Sequence, residues 1–172
     1  GGLRLSDMEA LRVGDVSLEG EGWVLIHQTR WGDLKSSSAR RKVPLRLMLT
    51  AAEAKIWSQF VMARRAAGQP EAPLLAQVIG FGQIVRFDRQ SFAAELAGLG
   101  MRPHALRHGA LSNLALVLLA PEAAREEIKA LTGWKSDAQG RIREFLTQGD
   151  PLYGPRSLAR LAGHRDPSTT FE

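Results

Sequence analysis

The chain contains no cysteine, a single tyrosine and few aromatic residues of any kind. Without cysteine there is no disulfide framework and no cysteine-ligated metal centre, and a reducing compartment fits. Long apolar runs are also missing. The longest stretch, residues 114–120, falls far short of the roughly 20 residues that cross a bilayer as a helix. No signal-peptide pattern opens the sequence. Sustained charge of one sign is absent from most of the chain as well. What remains is an ordinary globular profile: 172 residues, 44% hydrophobic and 24% charged, enough for one domain with a proper core.

The net charge of +5 has one address. Residues 27–46 hold Arg30, Lys35, Arg40, Arg41, Lys42 and Arg46 against Asp33 alone, and the rest of the chain carries 17 cations and 17 anions. A confined basic patch on a neutral body suits a surface that tracks phosphates.

Ser6 and Glu9 read as a capping box opening a first helix, which buries Met8, Leu11 and Val13 and stops at Gly14. Residues 22–29 read as a strand. Residues 41–45 form its return, with Pro44 placing it at an edge or an end. Thr50 and Glu53 form a second capping box, for a helix to Ala67 that buries Ile56, Trp57, Phe60 and Val61. Residues 69–87 are ambiguous. Asp88 caps a helix to Leu99, and Pro103 suits the first turn of the next, through Leu119. Further helical pieces follow from Pro121 to Leu131, Gly140 to Leu146 and Pro155 to Ala162, with a last one starting at Asp166 and Pro167. The predicted class is mainly α with a small antiparallel β-sheet near the N-terminus, in a single domain over residues 1–172.

Four short segments carry chemistry. His104 and Arg107 are three apart, so they share a helix face in a first turn, where exposed N–H groups favour an anion. A guanidinium and an imidazole there make a phosphate clamp. His104 and His108 are spaced to chelate zinc, but no Glu or Cys completes a site, and no metal is assigned. Arg4 precedes a helix start, Lys35 lies in the basic hairpin loop, and His164 sits at a turn between helices.

Taken together and in order, these segments resemble the tyrosine recombinase, or phage integrase, family. They are Arg-Leu-Ser-Asp at residues 4–7 before Ala-Leu-Arg, Lys35 on a basic hairpin ending in Val-Pro-Leu, His-Ala-Leu-Arg-His at 104–108, and Gly-His-Arg-Asp-Pro-Ser-Thr-Thr at 163–170. The resemblance spans residue 2 to the end. It implies the DNA breaking–rejoining fold and a site-specific recombinase or integrase of bacterial or phage origin that works in the cytoplasm. Its partners would be duplex DNA and three further copies of itself on paired sites, with no cofactor, membrane or small-molecule substrate. By the same resemblance Arg4 and Arg107 grip the scissile phosphate, Lys35 protonates the leaving 5′ oxygen, and His104 assists proton transfer at the nucleophile. His164 hydrogen-bonds the phosphate, and Arg30, Arg40, Arg41 and Lys42 bind the DNA backbone.

The sequence also departs from the family. The nucleophilic tyrosine is expected just past Glu172, so this chain by itself is expected to bind without cleaving. Tyr153 precedes His164 and is read as a buried or capping residue. Arg107 and His164 are 57 residues apart, wider than usual, and residues 120–154 are read as an inserted accessory helix pair on the surface. Lys42 is the rival to Lys35. The family's arm domain and first catalytic helix are not in this sequence. The alternative reading is a DNA-binding accessory protein of the same fold without strand transfer. A type IB topoisomerase shares the chemistry, but the Gly-His segment favours a recombinase.

Overall fold

A computed structural model describes residues 2–34, 39–75, 77–79, 83–85, 87–164 and 168, with 77–79 and 83–85 as backbone alone. Lys35 and the helix expected from Asp166 lie outside the described residues.

Seven helices and two antiparallel strand pairs are described: α1 (Leu5–Ala10), β1 (Val24–Ile26), β2 (Arg41–Val43), α2 (Ala51–Ala67), β3 (Gln77–Ile79), β4 (Gln83–Val85), α3 (Arg89–Gly98), α4 (Pro103–Leu119), α5 (Arg125–Thr132), α6 (Ser136–Thr147) and α7 (Gly154–Ala162). The expected N-terminal sheet is β1 against β2, with Val24 opposite Val43 and Ile26 opposite Arg41. The ambiguous stretch supplies a second pair, β3 against β4. No helix among the described residues is long and apolar enough to cross a membrane.

Strand alternation places the core. Val24, Ile26 and Val43 point inward and are essentially fully buried. They join Leu11, Val13 and Val16, the turn Leu45–Met48, and one stripe of α4 at Leu111, Leu114 and Val117. α4 packs against α5, α6 and α7, and α7 lies on β2. That last contact brings the end of α7 to the hairpin.

Residues 120–154 are not a surface addition. Ile128, Trp134, Ile142 and Leu146 belong to the same core cluster, and Ile142 and Leu146 have no exposed surface. Polar groups tie the segment in as well. Trp134 Nε1 donates to the Met48 carbonyl at 3.0 Å, and Arg143 donates to the carbonyls of Val117 and Ala120 at the C-terminal end of α4. The apolar spacing of α5 and α6 buries one face of each.

Three local expectations change. α1 begins after Arg4, so Asp7 and not Glu9 occupies the position that reaches back, accepting the Arg4 N–H at 2.8 Å; Glu9 pairs with Arg89 instead. α1 ends at Ala10, before Gly14, because the segment near residue 73 recruits the backbone: Leu74 N–H donates to the Leu11 carbonyl and Val13 N–H to that of Ala72. On α2 the capping box holds, with Thr50 and Glu53 bonded reciprocally, yet only Val61 of the four expected core residues is buried. Ile56 is two-thirds exposed and Phe60 is exposed, while Trp57 is partly buried against the core and tilted on Phe60; α2 meets the turn Val13–Asp15 and turns its outer face to solvent.

Candidate phosphate-binding site

The site forms where α7 ends. Gly163 adopts φ +65°, a conformation glycine takes without strain, and its N–H donates to the Arg160 carbonyl. The turn exposes two carbonyls to the interior. Arg107 heads the buried stripe of α4 and is only 5% exposed; its guanidinium donates to the carbonyls of Ala162 and Gly2. Arg4, just before α1, donates to the same Ala162 carbonyl at 3.3 Å and to Gly163 at 3.4 Å. A Cβ on Gly163 would lie 3.0 Å from Arg41 Nη1 and 3.1 Å from Arg4 Nη1, so the missing side chain is what lets two guanidinium groups close on the turn.

Arg41, named with Arg30, Arg40 and Lys42 among the hairpin cations that would bind the DNA backbone, is buried and not exposed like Arg40 and Lys42. Period-two alternation sends it inward with Val43 and leaves Lys42 outside. Buried, it donates to Asp7 at 2.6 Å and to the Ala39 carbonyl at 2.8 Å. Among the described residues, three guanidinium groups therefore meet one carboxylate, with two positive charges in excess. Arg4 Nη1 and Arg41 Nε are buried with no hydrogen-bond partner.

The electrostatics follow. Burial, then the charges of Arg4 and Arg41, lower the Arg107 pKa to about 10, against the opposing pull of Asp7. Burial also lowers Arg41, which Asp7 partly restores. His164 follows Gly163 and is half-buried. Burial first, then Arg107, Arg4, Arg41 and His108, push its pKa below the ordinary value, which disfavours the imidazolium beside the guanidinium groups.

Of the expected catalytic set, Arg4, Arg107 and His164 thus converge. His104 does not share the buried face of Arg107. It is exposed at the start of α4 and stands edge-on to His108, with their Nε2 atoms 2.6 Å apart. The helix has cleared the core there, which leaves both rings at the surface. Arg40 and Lys42 are exposed beside the cluster, with Lys42 Nζ 4.7 Å above the Trp23 ring. Arg30 is held apart over Trp31, whose indole N–H donates to the Glu71 carbonyl. Tyr153 is neither buried nor capping: it is 49% exposed at the start of α7 and makes no side-chain cap.

Asp7 is the site residue that sequence reasoning missed. Its signal was the Arg-x-x-Asp spacing from Arg4, which recurs at Arg12 and Asp15. There the carboxylate is buried and held down in pKa despite its burial, by hydrogen bonds from Arg12 and His27.

No family model, curated protein or solved structure matches this chain.

Proposed function

We propose that this chain is the catalytic domain of a tyrosine recombinase, built on the DNA breaking–rejoining fold, and that its arginine cluster grips the scissile phosphodiester of duplex DNA. The surplus of guanidinium charge at the Ala162–Gly163 turn carries this reading. Buried charge without a counter-ion is costly, so a cluster that Asp7 only partly neutralises is poised for an anion. A phosphodiester offers two non-bridging oxygens, which match the planar fork of arginine. The groups are held by backbone carbonyls and Asp7 before any ligand arrives, so they need not reorganise as charge develops on phosphorus.

The reaction then runs as follows. A tyrosine of the parent protein beyond Glu172 attacks phosphorus, forming the tyrosyl O–P bond as the P–O5′ bond breaks. Lys35 gives its proton to the leaving 5′ oxygen, and His104 assists at the tyrosine. Neutral His164 donates a hydrogen bond to the phosphate. The phosphotyrosine ester conserves the bond energy, so a 5′ hydroxyl rejoins the strand by the reverse path with no ATP. Four copies on paired DNA sites make the full exchange.

The test uses the complete parent protein and a nicked suicide duplex. The expected result is an adduct through tyrosine that survives denaturation, abolished by Arg107→Ala. Salt-sensitive DNA binding with no adduct supports the accessory-protein alternative and defeats the enzymatic reading. Normal cleavage by Lys35→Ala moves the general-acid role to Lys42.

A further inference from the structure

Beside the arginine cluster lies a hollow of about 460 Å³ between β2, the end of α6 and α7. Its lining includes Arg41 and His164 of the cluster, together with Arg40, Lys42 and Arg160 and the apolar side chains of Phe145 and Leu161. No carboxylate lines it among the described residues. Arg12, Arg41, Arg89, Arg125 and Lys129 each pair with an acid. Arg40, Lys42 and Arg160 are exposed and form no salt bridge among the described residues.

We propose that this hollow is a second anion subsite, in which Arg160, with Arg40 and Lys42, holds the phosphate next to the one on the Arg4–Arg107 cluster. The inference rests on the phosphodiester reading above and narrows it: the site takes a polynucleotide strand through at least two successive phosphates, not a singly phosphorylated small molecule. The shared wall of Arg41 and His164 makes the two subsites continuous. Phe145 and Leu161 offer an apolar surface to the sugar between the phosphates, and the volume lies within the range of pockets that bury a small ligand. Arg160 was not singled out by any sequence motif. It reaches the hollow because α7 packs on β2.

The experiment measures binding of this chain to a fluorescent duplex by anisotropy, between about 50 and about 200 mM salt, for wild type, Arg160→Gln, Arg40→Gln and Arg4→Gln. Each neutralised phosphate contributes about 0.9 to the slope of log K against log salt. Arg160→Gln is therefore expected to make the slope shallower by about 0.9 and to weaken binding about eightfold at 0.1 M salt. Arg160 is exposed, so its melting temperature should match wild type. A wild-type slope for both Arg160→Gln and Arg40→Gln, while Arg4→Gln weakens binding, overturns the second subsite alone. Unchanged binding by Arg4→Gln overturns the cluster reading on which it rests.

Discussion

Asp7→Asn isolates the electrostatic claim. The carboxylate is almost fully buried, accepts from Arg41 at 2.6 Å and from the Arg4 backbone N–H at 2.8 Å, and among the described residues is the only acid at the three guanidinium groups. Asparagine keeps the shape and one acceptor but removes the charge, which leaves the buried Arg41 and Arg107 and the half-buried Arg4 without a counter-ion among the described residues. Removing one partner of a buried pair costs about 3–5 kcal/mol. Against a total stability of about 5–15 kcal/mol, this is a large fraction. At about 2–4 °C per kcal/mol for a chain of this size, the melting temperature should fall by roughly 6–20 °C. Thermal unfolding followed by circular dichroism measures the loss. A second arm makes the cause specific. If the loss comes from uncompensated positive charge, sulfate or phosphate should restore Asp7→Asn more than it stabilises wild type, because the anion binds the folded variant more tightly. Leu114→Ala, an uncharged core lesion elsewhere on α4, should show no such rescue. Near-wild-type stability of Asp7→Asn, or equal anion response in both variants, would refute the surplus-charge argument.

Three further outcomes are expected. Gly163→Ala forces a side chain into φ +65° and against Arg4 and Arg41, so it should cost about 1–2 kcal/mol and weaken DNA binding together, by thermal melting and anisotropy. Ile142→Ala should destabilise by about 2–5 kcal/mol in urea unfolding, as for a core residue, whereas a loss below about 0.5 kcal/mol would return residues 120–154 to the surface. His164, held below its ordinary value near 6.5 by burial and the arginines, binds a proton more readily unfolded than folded. Stability should therefore be full above that value and fall as the pH drops below it, and the urea midpoint of His164→Gln should decline less over the same range.

Local signals were legible wherever they needed no distant partner. Thr50 with Glu53, Asp88 and Pro103 mark helix starts by capping chemistry, and the structure keeps each of them. The antiparallel β1–β2 pair followed from β-rich composition on either side of the basic loop. That Arg4, Arg107 and His164 share a site is implied only by the family resemblance of the segments that carry them, and their contacts at Ala162–Gly163 come from the packing of α4 and α7.

Only tertiary structure decided the rest. Composition cannot distinguish Arg41 from Arg40 and Lys42. Strand register against β1 and the body of α7 turn one inward to Asp7 and leave its neighbours in water. Likewise residues 120–154 look like an addition when counted along the chain, but their apolar faces fill the space between α4 and the turn at Met48. Sequence periodicity says which side chains share a face. What that face meets, and so whether a charge is buried or solvated, depends on elements far away in the chain.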